Sequence, residues 1–291
     1  MALRLTQDQW RPLEAAHSTR VDALTYAHLS RRQDARKHPV EDFLFTYYVH
    51  RPAQLRRWHP GPGVVLEGAA ERAEWSCYRY VDRAAGLDLE RFLATRVTKV
   101  RLISNLLSAT AARPAHLGCF GLHEWAMVYG ETPEQRRHAD WPLRLGQKGT
   151  DEVVESHEIR CSHFDAFRFF TDLARPLNTL SLKRDSQVDM EQPGCLHATM
   201  DLYKWAYKLS PAISSDLTVD CFDLAREVRG LDMRAAPYDL RSLGYEPVEI
   251  ETAAGKATYV EAQRDFSLRA QVLRRRLIDG CDSLLSSDAQ S

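Results

Sequence analysis

Three short segments of this 291-residue chain concentrate side chains that can move protons or bind metals: 116–125 (HLGCFGLHEW), 160–165 (RCSHFD) and 191–197 (EQPGCLH). Each pairs a cysteine with a histidine: Cys119 with His123, Cys161 with His163, Cys195 with His197. Thiolate and imidazole both suit zinc and similar divalent metals. The spacing is C-x3-H once and C-x-H twice, which is no zinc-finger pattern, and cysteine is also often buried for packing alone. In the second segment, Ser162-x-x-Asp165 fits a helix start, where a first-turn carboxylate accepts backbone N–H bonds. The alternative is that His163 and Asp165 face a pocket with Arg168 nearby, kept dry by Phe164, Phe167, Phe169 and Phe170 so that the carboxylate becomes more basic.

The third segment leads into a helix that carries His197, Asp201, Lys204 and Lys208 on one stripe. Lys204 and Lys208 read as a solvated polar face. His197, next to the Pro193-Gly194 turn, is the member expected to face a pocket as general base, metal ligand or haem axial ligand. In the first segment Glu124 sits in the opening turn of a helix, where a carboxylate is favourable in any case, or stands as a second carboxylate opposite Asp165.

These groups must be positioned by helices. Thr6-x-x-Gln9 marks the start of one that continues to about residue 35 on Trp10, Leu13, Val21 and Leu24. His38-Pro39 precedes a second, carrying Phe43, Leu44, Tyr47 and Tyr48 inward, and a short third spans 51–58 before the breaker His59-Pro60-Gly61-Pro62-Gly63. The 3.6-residue period of Phe92, Leu93, Val97, Val100, Ile103, Leu106 and Leu107 predicts a long helix over 88–112. Two short β-hairpins are expected, one over 142–161 turning at Gly146-Gln147-Lys148-Gly149, the other over 247–260 turning at Ala253-Ala254-Gly255-Lys256. Further helices are expected over 164–175, 195–209, 215–229 and 261–279. The expectation is a single, mainly helical domain over 1–280, with 281–291 a disordered tail.

Composition narrows the partners. With 39 Lys and Arg against 40 Asp and Glu, the net charge of −1 offers no general attraction for a polyanion, so nucleic acid would need a local basic patch. No apolar run approaches the roughly 18 residues of a membrane span. The charged N-terminus lacks a secretory h-region, and the six scattered cysteines read as free thiols, so a cytoplasmic protein is expected. The motif search finds no G-x-G-x-x-G, Walker loop, H-E-x-x-H or G-x-S-x-G, and only one Glu-x-x-His, at Glu14 and His17.

Five blocks, 38–48 (HPVEDFLFTYY), 56–61 (RRWHPG), 123–129 (HEWAMVY), 162–170 (SHFDAFRFF) and 191–198 (EQPGCLHA), together resemble a family of actinobacterial proteins labelled 3-methyladenine DNA glycosylase. The similarity spans about residues 38–276. It implies hydrolysis of the N-glycosidic bond of an alkylated purine, with Asp165 or Glu124 as the carboxylate and Trp58, Trp125 or Tyr47 stacking on the extruded base. His163 and His197 are further catalytic candidates, and Arg168 and Glu191 candidate substrate contacts. The chain lacks a helix-hairpin-helix signature. The rival reading is an enzyme in which His123, His163 and His197 hold iron, zinc or haem beside a small aromatic or nucleoside-like substrate. A third is a binding protein in which these groups only pack.

Overall fold

A computed structural model describes residues 2–132, 134–135 and 140–288. The chain opens with strand β1 (Leu3–Leu5) and helix α1 (Gln7–Gln33), where the Thr6 N–H donates to Gln9 Oε1 as the capping signature requires. Short helices α2 (Phe43–Tyr47) and α3 (Pro52–Leu55) follow, the second started by a proline whose missing N–H costs nothing there. Strands β2 (Val64–Glu67), β3 (Tyr78–Val81) and β4 (Ala84–Leu87) join β1 in one small sheet of order β1-β2-β4-β3. Only β1 and β2 run parallel, with Leu3 opposite Val64. One face of this sheet packs on Trp10 and Trp58, and Trp10 Nε1–H donates to the Glu67 carbonyl, fastening α1 to β2.

The main core is helical. Helix α4 (Leu89–Ala112) is capped by Asp88, which accepts from the Arg91 N–H, and it buries the apolar stripe expected of it. Two short helices, α5 (Leu122–Ala126) and α6 (Gly146–Glu155), precede α7 (Phe164–Phe167) and α8 (Gln187–Met190). The long elements α9 (Leu196–Leu209), α10 (Ser215–Arg234) and α11 (Ala253–Asp288) complete the domain. Helices α9 and α10 pack together at its centre, and α11 lies along α4. All six cysteines are free thiols, five of them buried. No helix among the described residues is long and apolar enough to cross a membrane.

Mainly helical and single-domain is what the sequence predicts, but both expected hairpins are helix. In the first, Thr150, Val153 and Val154 recur at helical spacing and are buried together on α6, while Gly146 starts that helix at φ +63°. In the second, Gly255 is no turn residue. It sits in the first turn of α11 because a Cβ there would lie 2.0 Å from the Glu249 carbonyl oxygen, and its N–H is held by Thr252 Oγ1. The helix expected over 164–175 ends at Phe167, and α11 begins well before residue 261. The tail expected from 281 is helix as far as Asp288: Cys281 and Leu284 are buried against the core, and Ser104 Oγ donates to Asp282. Residues 289–291 lie outside the described residues.

Candidate metal centre

The three Cys–His segments converge. The side chain of Gln192 joins the first to the third: its Oε1 accepts from the N–H groups of His116 and Gly194 at 2.8 and 2.7 Å. Gly194 can be nothing larger, since a Cβ would stand 2.5 Å from the His116 carbonyl oxygen. From α11, Gln263 donates to the Gly194 carbonyl and Ser267 to that of Pro193, clamping the turn that starts α9. The second segment is fixed by Asn178, whose amide takes both the N–H and the carbonyl of Cys161. The Trp125 indole N–H donates to the Ala235 carbonyl and locks α5 against the end of α10.

This framework brings the imidazoles of His123, His163 and His197 side by side. The His123 and His197 ring centroids are 4.4 Å apart, and those of His163 and His197 are 5.3 Å apart. Around them two sets of three side chains each offer ligand atoms within 4.8 Å of one another: His123, His197 and Asp232, and His163, Glu191 and Asp201. In the first set His123 Nε2 lies 3.0 Å from Asp232 Oδ1, yet both atoms are buried with no hydrogen-bond partner. In the second, His163 Nε2 lies 3.2 Å from Glu191 Oε1 and 3.3 Å from Asp201 Oδ2 and again bonds to neither. Buried polar atoms are almost always paired, so this concentration of orphans calls for a missing partner.

The surrounding charges differ between the two sets. Asp232 Oδ2 accepts from Arg229 Nη1 at 2.6 Å, and the same nitrogen donates to Glu124 Oε1 at 2.7 Å, leaving Asp232 Oδ1 and Glu124 Oε2 unpartnered. Burial would raise the Asp232 carboxyl, but His123 and Arg229 outweigh it and hold it well below the usual carboxylate range. Burial, with His123 alongside, pushes His197 far below the ordinary histidine value, so it is a neutral imidazole, the form that binds a metal. Asp201 is already compensated: Lys204 Nζ is 2.6 Å from its Oδ2, and Tyr48 donates to its Oδ1 at 2.9 Å. Burial works against a charged His163, and Glu191 and Asp201 outweigh it, so its pKa is raised. The second set is therefore closed by internal cations, whereas the first keeps a free carboxylate oxygen and a neutral histidine.

A recess of about 260 Å³ reaches this centre through His197. Phe43 and Tyr47, stacked with centroids 5.0 Å apart, and Phe169 supply its aromatic lining, while Glu124, Asp165 and Arg229 supply its polar part. The Arg229 guanidinium also lies 3.9 Å over the Phe43 ring, tying that aromatic lining to the carboxylates beneath.

Of the residues singled out in the sequence, Asp165, Glu124, His197 and Tyr47 line the recess. His123 and His163 stand behind His197. Asp165 is ion-paired with Lys204 at 3.1 Å and Arg184 at 3.1 Å, so Lys204 is no solvated surface lysine. Arg168 is half out in solvent, folded back toward Asp165. Glu191 is buried beside His163 and accepts from Gln187. Two stacking candidates fall elsewhere: Trp125 is fully enclosed in the main core, and Trp58 is buried in the small-sheet cluster. Asp232 and Arg229 escaped sequence reading. Their only signal is a charged pair three residues apart on a stretch of α10 that also carries Arg226, Glu227 and Arg234, which is indistinguishable from a surface pair until its burial is known.

No family model, curated protein or solved structure matches this chain.

Proposed function

We propose that this protein is a metal-dependent enzyme, in which His123, His197 and Asp232 hold a divalent cation and a small aromatic or nucleoside-like molecule enters the recess beside it. The observation that carries this reading is the buried pair His123 Nε2 and Asp232 Oδ1, in ion-pair contact at 3.0 Å with no hydrogen bond formed by either atom, and the neutral imidazole of His197 alongside. Two imidazoles and a carboxylate suit zinc or ferrous iron and leave coordination positions open for water or substrate. Arg229, bonded to the far oxygen of Asp232, orients that ligand from behind. A recess of about 260 Å³ accommodates a small planar ligand and favours an ion over haem.

The chemistry the site supports is hydrolysis. A cation held there would supply Lewis-acid activation of water, and Glu124, with its Oε2 unpartnered and its side chain on the recess, is placed to accept a proton. Phe43, Tyr47 and Phe169 offer the substrate aromatic faces.

Metal-free cleavage of an N-glycosidic bond is the second reading. It is favoured by the presence of two carboxylates, Glu124 and Asp165, on one recess with Tyr47. Elemental analysis of the purified protein for zinc and iron separates the two. The first reading expects near-stoichiometric metal in the wild type and its loss in folded His123→Ala and Asp232→Asn. A protein that stays metal-free after incubation with zinc or ferrous iron, yet releases alkylated purine in a Glu124-dependent manner, would establish the second.

A further inference from the structure

A second recess, of about 250 Å³, lies farther along α9, beyond the tyrosines Tyr48 and Tyr203, and its chemistry is opposite to that of the metal centre. Arg57 and Arg96 both line it, as do His50, His59, Gln54 and Ser76, and no Asp or Glu does. Neither arginine is spent on a carboxylate. Arg57 lies over the Trp75 ring at 5.6 Å, and Arg96 lies over the Phe92 ring at 5.3 Å and donates to the Ser210 carbonyl at 3.3 Å. Other arginines of the molecule are ion-paired: Arg56 binds Asp22 through two nitrogens, and Arg20 and Arg276 share Asp220. Two guanidiniums without carboxylate partners on one concavity give it a positive potential suited to an anion.

The polar floor points the same way. His50 is only 8% exposed, and its Nδ1 is buried with no partner. His59, equally enclosed, uses Nδ1 on the Tyr78 hydroxyl at 3.0 Å. Trp75 and Tyr207 add aromatic surface to the lining.

We propose that this recess binds a small phosphate monoester, its dianionic phosphoryl group held between Arg57 and Arg96 with Gln54 and Ser76 as neutral donors, and its organic part against Trp75. Arginine pairs suit phosphate because each planar guanidinium presents two parallel N–H groups to two oxygens. A recess of this size with two cations takes a single phosphoryl group. A nucleic-acid backbone needs a continuous basic track, which a chain of net charge −1 does not supply from its bulk composition. The site is independent of the metal reading and stands or falls without it.

Calorimetric titration of the full chain with inorganic phosphate and with phenyl phosphate tests the assignment. Phenyl phosphate is expected to bind at one site and more tightly than phosphate. Arg57→Gln and Arg96→Gln are each expected to weaken both by about tenfold or more, with Arg57→Lys recovering part of the loss. Both side chains lack ion pairs, so the variants retain the wild-type melting temperature, which is measured alongside. Absence of binding at millimolar ligand would overturn the proposal. So would affinities that the substitutions leave unchanged, or binding of a DNA oligonucleotide in preference to phenyl phosphate.

Discussion

At the level of single residues, the centre is a problem of charge. Glu124, Asp165, Glu191, Asp201 and Asp232 are all buried around three imidazoles, with Arg229 and the largely enclosed Lys204 bonded to them as permanent cations and the buried Arg274 acting on Glu191. Arg229 alone serves Glu124 and Asp232, both nearly inaccessible. Removing one member of such a group strands the others without compensation, so Arg229→Leu is expected to cost about 3–5 kcal/mol in urea unfolding. A loss within experimental error would show that water reaches these carboxylates. The sequence displayed His123, His163, His197, Glu124 and Asp165 because each stands beside a glycine, a proline or a helix start. It placed Asp201 on the stripe of His197 without a role and concealed Asp232, since charged positions inside helices look like ordinary polar faces until tertiary packing encloses them.

At the level of elements, the turn at Pro193-Gly194 sets the position of His197. Gly194→Ala drives a Cβ against the His116 carbonyl, a contact with backbone that cannot be relieved by a rotamer change. The expected result is a loss of about 1–3 kcal/mol together with reduced metal content, read by unfolding and elemental analysis on the same preparation. The end of α11 makes a separate prediction. Leu284→Ala is expected to cost about 2–5 kcal/mol, because Leu284 is 1% exposed in the main core; an unstructured tail would tolerate the change. The helices α1, α4 and α10 have caps that agree with their apolar positions, and α9 was legible from the Pro193-Gly194 turn before it and its helical periodicity. The hairpin expectations failed at Gly146 and Gly255 for a physical reason. Gly146 supplies a positive φ at the start of α6 and Gly255 a close approach to the Glu249 backbone, and only the fold distinguishes these uses of glycine from a hairpin turn. The four strands went unread because they are three or four residues long and take their stability from Trp10 and Trp58 rather than from their own pattern.

For the whole molecule, two histidines outside the metal centre contribute to the response to acid. Burial lowers His50 from 6.5 to about 4, and burial together with Arg72 and Arg57 lowers His59 to about 3. Both are neutral when folded and take up a proton more readily when unfolded. Their contribution is therefore complete above about pH 6.5 and is lost as the pH falls toward 4 and then 3. For His50 that loss is on the order of 3 kcal/mol over the window. His50→Phe, which keeps the ring against Tyr203 and Tyr207, is expected to flatten the dependence of melting temperature on pH between 6.5 and 4. An unchanged slope would locate the acid sensitivity elsewhere. The six free thiols imply in turn that reducing agent leaves the melting temperature unaltered.

The central claim is a place as much as a chemistry: one cation between His123, His197 and Asp232. Its most direct test is an anomalous difference map from a crystal of the zinc-incubated protein, with data collected on either side of the zinc absorption edge. The account predicts a peak within bonding distance of His123 Nε2, Asp232 Oδ1 and a His197 ring nitrogen, with Lys204 still on Asp201. An empty map at that position, or a peak bounded instead by His163, Glu191 and Asp201, would contradict it.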